Sequence, residues 1–446
     1  MEIIFDNSKP KYIQIFEQIA NMINTAVLTG GEQLPSKRNL SLSLNVSLNT
    51  IINAYALLLE EGYIYSIEKK GYFVSAQPMV AVYSKKSTER IPEKENIQYD
   101  FTTQNVEKFS NTQWNKLIKE STEENNCGKT PLKGDLGLRQ VISRHLLENR
   151  GITVSEENIV IGTGMEIFEQ ILSCTEIDSI TLENPGYHKL AYIAANLDMR
   201  VCYLPLDSEG VAVPAEKTIL YATPFNQFPT GVKMSIARKK ALIQWSIQTE
   251  GYIIEDDFDA EFRINSAPAT ALFSLNPARV IFFSTFSTTL FPGLRISYAI
   301  LPDKILNRFE EKYRHYSCGV TTTSQKVLKE FIRQGGYASH VNKMKKKYLK
   351  KRELCIRCLQ QYNMVETDEH RNYLSLLIKL PITENDLEFT EKLKKKGLKM
   401  QALATFDIAY NSSHIFILGY TAIPTEDIEA GIKMLMEEIK NEIKAP

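Results

Sequence analysis

Few of the side chains that commonly carry chemistry are spaced for it in this sequence. Cys355 and Cys358 form a C-x-x-C, the spacing of a redox pair or of half a zinc site. They lie in a Lys/Arg-rich segment that reads as helix, with no second cysteine pair, so neither chemistry is expected there. The other cysteines, at 127, 174, 202 and 318, are scattered. The histidines show no ligand spacing, and no metal is expected. The cationic run Lys343–Lys351 reads as a solvated helix face rather than a stripe for nucleic acid.

The elements that must position any site come next. A chain of 446 residues, 43% hydrophobic, is too long for one core and suits two or three domains. Its 53 basic residues balance 53 acidic ones, so no global field points to nucleic acid or a membrane. No apolar run approaches the ~20 residues of a membrane span, and residues 1–7 lack the basic start of a secretory signal. A cytoplasmic protein is expected.

Within residues 1–75 the periodicity predicts a helix over 10–27, with Ile13, Phe16, Ile19, Ala20, Ile23 and Val27 recurring at three- and four-residue steps. Ser36 can cap a short helix running to about Leu44. Asn45-Val46-Ser47 is a turn, and Ser47 caps a further helix that buries Ile51, Tyr55 and Leu58/Leu59, with Val46 and Ile51 as the ends of a hydrophobic staple. After Gly62 the pattern alternates through Tyr63–Ser66 and Tyr72–Val74 around a bend at Glu68–Gly71, which predicts a hairpin. That order of elements is a winged helix-turn-helix.

The blocks P-K-Y-I-Q-I-F-E-Q-I, G-G-E-Q-L-P-S-K-R-N-L, L-N-V-S-L-N-T-I-I-N-A-Y and E-G-Y-I…G-Y-F-V resemble the GntR-type regulator head. The resemblance implies that Ser36 and Arg38 hold phosphate or a base, and that Ser47, Leu48, Asn49 and Thr50 enter the major groove. It also implies that Lys69, Lys70 and Gly71 approach the minor groove or backbone. Hydroxyls and guanidinium groups position a protein on phosphate, and an Asn amide reads an adenine edge. Against this, residues 1–80 carry six basic and seven acidic side chains, and Leu48 stands where the family usually has Arg. A winged helix used for protein contacts is the competing reading. A dimer on a two-part double-stranded DNA operator is expected, since one such head binds weakly.

Residues 76–98 are polar and aperiodic and read as a linker. From 99 to 446, short apolar runs at 158–162, 179–182, 218–221, 252–255 and 280–283 alternate with helical stretches. They predict an α/β body with a mainly parallel sheet and a ligand site at its carboxyl ends. Gly134–Arg139, Glu183–His188, Gln227–Gly231, Ile253–Asp259, Ser284–Arg295 and the Gly335-Gly336-Tyr337…His340…Met344-Lys345 helix resemble the fold-type I aminotransferase domain, which ends in a smaller C-terminal α+β domain. Joined to a GntR head, they resemble the MocR-type subfamily.

In that family pyridoxal phosphate is held by a Schiff-base Lys, an Asp on the pyridine nitrogen, a Tyr on the ring oxygen, a stacking aromatic and a phosphate cup with an Arg. By the resemblance, this sequence keeps Tyr187 for stacking, Asp256 for the ring nitrogen, and Gly164, Met165, Thr285, Ser287 and Arg295 for phosphate. Thr288 stands at the Lys position, Phe258 at the Tyr, and Ile417 at the Arg that clamps a substrate carboxylate; Phe225-Asn226 replaces Ser-His. A Thr hydroxyl forms no imine, so no internal aldimine and no aminotransferase catalysis are expected. Pyridoxal phosphate would be held only non-covalently. Lys189 and Lys233 are the candidates for a rescuing amine; Asp256 and Arg295 alternatively form a buried ion pair, and Tyr187 a core aromatic.

The expectation is therefore a dimeric DNA-binding transcription regulator, not an enzyme, whose aminotransferase-like body senses a small-molecule effector. Two alternatives remain at this point. One is a pyridoxal-phosphate-responsive regulator or aminotransferase in which Thr288 is an engineered replacement of the lysine. The other is a body that presents the winged head to another protein.

Overall fold

The computed structural model describes residues 3–6, 9–25, 27–75, 96–102, 109, 111–123, 128–262, 270–362, 366–368 and 374–444. Contacts divide the chain into two compact units, Met1–Lys94 and Glu95–Pro446. Of the expected linker, residues 76–95 lie outside the described residues.

In the first unit, α1 (Lys11–Asn24), α2 (Lys37–Leu44) and α3 (Leu48–Glu60) precede the antiparallel strands β1 (Ile64–Ile67) and β2 (Gly71–Val74). Ser36 and Ser47 accept hydrogen bonds from the backbone N–H of Asn39 and Thr50, so each hydroxyl starts a helix as expected. Asn45 ends α2 in the left-handed conformation, which lets α3 set off directly. Ile15, Ile19, Leu40, Ile51, Tyr55, Leu58, Ile64 and Val74 share one core. The helix stops three residues before the expected end, and Val27 is 68% exposed. Gln14 is buried instead, because its amide receives the N–H of Asp6 and donates to the carbonyls of Asp6 and Lys9. A polar side chain thereby ties down the segment that leads into the helix, which apolar periodicity cannot reveal.

The second unit opens on β3 (Tyr99–Asp100). Its main sheet contains β4 (Ile159–Gly162), β5 (Ser179–Asn184), β6 (Arg200–Asp207), β7 (Gly210–Val211), β8 (Ile219–Ala222), β9 (Tyr252–Asp256), β10 (Val280–Thr285) and β11 (Ser297–Ile300). The order is β4-β11-β10-β9-β8-β5-β6-β7. The five central strands β6, β5, β8, β9 and β10 run parallel; β11 lies antiparallel beside β10, and the edge strands β4 and β7 each pair antiparallel with their neighbour. Alternate residues feed two cores: Leu220, Ile253 and Phe282 face one way, and Tyr221, Ile254 and Phe283 the other. A sheet covered on both faces accounts for strands that read as unbroken apolar runs.

A smaller antiparallel sheet follows, made of β12 (Glu366–Asp368), β13 (Ser375–Lys379), β15 (Gln401–Ala402) and β16 (Ile415–Gly419) in the order β12-β13-β16-β15. β14 (Leu398–Lys399) pairs in parallel with β3, which fastens the start of the unit to its C-terminal part. Cys355 and Cys358 sit on the helix Gly336–Gln360, buried in the core of this part. Burial pushes the Cys355 thiol up to about 12, so it behaves as a small apolar side chain. Among the described residues no cluster suited to a metal occurs. The basic run on the same helix is not wholly solvated. Lys351 is fully buried, and its ammonium donates to the carbonyls of Thr421 and Ile423. These carbonyls lie just past the end of β16, where the lysine supplies a buried donor. No helix among the described residues is long and apolar enough to cross a membrane.

Candidate functional site

On the head, Ser36, Arg38, Ser47, Asn49, Lys69 and Lys70 are exposed, and Thr50 is half-buried with its hydroxyl 2.8 Å from that of Ser47. Both serine oxygens accept helix N–H groups; Ser36 keeps its hydroxyl hydrogen to give, while the Ser47 hydroxyl is shared with that of Thr50. Lys69 adopts a positive φ of 61° at the hairpin bend, and Gln33 donates to the Lys70 carbonyl at 2.6 Å, which fixes the wing tip. Leu48 is 40% exposed at the first turn of α3. Lys37, missed in the sequence, lies over the Tyr72 ring at 4.8 Å and is thereby turned toward the wing.

In the body, the nine pocket residues anticipated from the sequence, namely Gly164, Met165, Tyr187, Asp256, Phe258, Thr285, Ser287, Thr288 and Arg295, line a single cavity of about 420 Å³. Strand parity explains the convergence. Tyr221, Asp256, Phe283 and Thr285 stand on one face at the carboxyl ends of adjacent parallel strands. Asp257, one residue on, turns to the opposite face, where the Arg150 guanidinium grips it at both oxygens.

Asp256 is the chemical centre of the floor. Tyr221 donates its hydroxyl to Oδ2 at 2.5 Å, while Oδ1 is buried with no hydrogen-bond partner. Burial pushes the Asp256 carboxyl up to about 8, and nearby Asp257 and Asp259 reinforce the shift. Below it, Glu183 accepts from the Thr223 hydroxyl at 2.6 Å and from the Gln227 amide at 3.2 Å; burial holds it up at about 7. Asp259 accepts from Asn226 and is likewise raised by burial to about 7.

Asp256 and Arg295 do not form the buried ion pair allowed as an alternative. The Arg295 guanidinium instead reaches Glu166 Oε2 at 2.6 Å, and the Lys189 ammonium meets Oε1 of the same carboxylate at 2.8 Å. Neither Lys189 nor Lys233 lines the cavity. Tyr187 is 36% exposed and so is no core aromatic. The Ser287 hydroxyl, like Asp256 Oδ1, is buried without a partner. Thr288 lines the wall between Ser287 and the tight turn that leads to Arg295.

The sequence reading missed Tyr221, Thr223, Phe228, Asp259, Phe283, Leu374, Ser375 and Phe406 on the cavity wall. Tyr221 was accessible from its place at the end of a parallel strand. Phe406 arrives from the smaller domain, where its carbonyl accepts the Gly186 N–H at 2.9 Å, and no local pattern foretells that closure. Phe228 stands edge-on to Phe406, Phe258 and Tyr187, giving the mouth an aromatic rim. Ile417 is fully buried on β16 opposite Leu377 and is not on the cavity wall.

A winged head joined to a body of this topology, with its cavity at the carboxyl ends of parallel strands, defines a regulator-type fusion to an aminotransferase-like domain. The model for bacterial regulatory proteins of the gntR family matches residues 11–74, and that for aminotransferase class I and II matches 98–432. The HTH-type transcriptional regulator YdeL of Bacillus subtilis is 32% identical, with 96% of each chain covered. The probable rhizopine catabolism regulatory protein MocR of Rhizobium meliloti is 24% identical over 96% of this chain and 94% of its own. The pyridoxine biosynthesis regulator PdxR of Corynebacterium glutamicum is 28% identical over 76% and 77%. Among solved structures, a multiple-substrate aminotransferase from Thermococcus profundus shares the body fold, with TM-score 0.69, 22% identity, 79% of this chain and 94% of that chain. The chain belongs to the MocR-type family of HTH transcription regulators, in which a GntR head is joined to an aminotransferase class I and II domain.

Proposed function

We propose that residues 1–75 bind an operator and that residues 99–446, joined to them by a linker over 76–98, are the effector-binding and dimerisation module. In this reading Ser36, Arg38, Ser47, Asn49, Thr50, Lys69 and Lys70 carry the DNA contacts. Arg38 and the two lysines neutralise phosphate, and Asn49 reads a base edge from the first turn of α3.

The body's ligand is pyridoxal phosphate or a close relative, held without a covalent bond. The carrying observation is that the residues matching the family's cofactor contacts all line one cavity, and that its wall at position 288 offers a hydroxyl and not an amine. The cavity suits a planar heterocycle with an anionic arm. Asp256 Oδ1 lacks a partner and would take a ring N–H, the unpartnered Ser287 hydroxyl would serve the arm, and Tyr187 would cover a ring face. Similarity to a regulator named for pyridoxine biosynthesis supports the same ligand class. Bound pyridoxal phosphate brings an aldehyde and an electron-accepting ring, and aminotransferase chemistry on them needs an amine from the protein. Thr288 does not provide one, and Phe258 has no hydroxyl for the ring oxygen. The body is therefore a sensor and not a catalyst.

Mobility shift with DNA from upstream of the chain's own gene tests the first half. A discrete low-salt complex is expected, and its absence at every site tried would overturn the operator reading. The same titration with added pyridoxal phosphate reads out the sensor.

A further inference from the structure

Arg295 is the one cation among the described residues that line the cavity, and a carboxylate of the same chain already holds it. Glu166 bridges two cations, with Oε2 on Arg295 at 2.6 Å and Oε1 on Lys189 at 2.8 Å. Partial burial pushes the Glu166 carboxyl up. The Lys189 and backbone hydrogen bonds and the Arg295 charge outweigh that and hold it below its usual value, so it is an anion at neutral pH. The contact lies directly on Gly164, another residue of the cavity wall. A Cβ at Gly164 would come within 2.3 Å of Arg295 Nη2 and 2.9 Å of Glu166 Oε2. The backbone is thus kept bare where the guanidinium and the carboxylate meet. Arg295 and Glu166 side chains are 48% and 49% exposed, so water reaches the pair and the carboxylate has room to swing away.

We propose that Glu166 is a built-in anion occupying the guanidinium that would serve a phosphate, and that a phosphomonoester enters the cavity by displacing it. This inference rests on reading the cavity as a site for pyridoxal phosphate or a relative. Glu166 Oε2 and a phosphate oxygen cannot both take Nη2 along one line, and two anions side by side repel. Whatever the phosphate gains from Arg295 is offset by the broken Glu166 contact. Glu166 therefore sets how strongly the site distinguishes phosphorylated from unphosphorylated ligands. A phosphate that succeeds leaves Glu166 with Lys189 alone, at the start of the helix Ile167–Leu172.

The test compares the full-length chain with its Glu166→Gln variant, using pyridoxal phosphate, pyridoxal and inorganic phosphate as probes in calorimetric titration. Glutamine removes the competing charge at a half-exposed position, and equal melting temperatures certify the fold. The variant is expected to bind pyridoxal phosphate about three- to tenfold more tightly, the range that one partly exposed charge pair controls, and to bind pyridoxal unchanged. Inorganic phosphate should compete with pyridoxal phosphate more strongly in the variant, which places the effect at the phosphoryl group. Glu166→Ala should repeat the gain. Unchanged or weaker binding of pyridoxal phosphate by Glu166→Gln would overturn the inference and show that Glu166 merely steadies Arg295, leaving the cavity reading intact. If neither protein binds pyridoxal phosphate, the inference and the cavity reading fall together.

Discussion

Tyr221 gives its hydroxyl to one oxygen of Asp256 and leaves the other, Oδ1, buried without a partner. An acid so placed is half-satisfied. Burial raises its proton affinity more than the Tyr221 and Phe258 backbone hydrogen bonds lower it.

This predicts a pH dependence of stability. The Asp256 carboxyl is raised to about 8, and burial raises Glu183 and Asp259 to about 7. Each folded-state value lies above its unfolded value, so the folded chain holds extra protons between them. Stability is then fully present at low pH and is lost as pH rises through that window. The melting temperature of the ligand-free chain should fall between about pH 5 and about pH 8, with a shallower slope in Asp256→Asn. A slope unchanged by Asp256→Asn would assign the dependence elsewhere.

Replacing Thr288 by Lys restores an amine to the cavity wall. With pyridoxal phosphate, Thr288→Lys should develop a visible absorbance band and, after borohydride, carry a phosphopyridoxyl group at residue 288. Transamination should stay negligible, because Phe258 still lacks a hydroxyl and Ile417 brings no cation. Failure to trap the cofactor at 288 would mean that this wall does not face the ring.

On the head, Arg38→Ala should weaken binding to all sequences alike and lower the salt slope by about one counterion. Asn49→Ala should instead erode discrimination at one base pair, by about 1–3 kcal/mol. Fluorescence anisotropy across a salt series separates the two. A sequence-selective loss for Arg38→Ala would reverse their assigned roles.

The Arg150–Asp257 pair is buried on the far face of the sheet from the cavity. Arg150→Ala leaves a carboxylate there without its guanidinium, and should cost about 3–5 kcal/mol in denaturant unfolding of the body. A loss below about 1 kcal/mol would mean that water or another cation reaches Asp257 easily.

Much of this was legible in the sequence because the informative residues act locally. Ser36 and Ser47 each cap the helix that follows them, and Asp256 and Thr285 stand in the contiguous blocks 253–259 and 284–295 that carry the family resemblance. What escaped depends on contacts between distant segments. Glu166 meets Arg295 across 129 residues. Phe406 closes the cavity from the smaller domain, and Lys351 leaves its solvated run to satisfy two carbonyls. None of these has a periodicity to read. The short strand β11, inserted between β10 and β4, also escaped, since it follows β10 without the intervening helix that the alternating pattern led one to expect.

We propose a cofactor-type cavity that holds its ligand without a covalent bond. The most direct measurement is the intact mass of the wild-type chain after equilibration with stoichiometric pyridoxal phosphate and reduction with borohydride. Binding should be evident beforehand by quenching of intrinsic fluorescence, should reverse on dialysis, and should leave the mass unchanged. A stoichiometric phosphopyridoxyl adduct on any lysine, Lys189 and Lys233 included, would contradict the account.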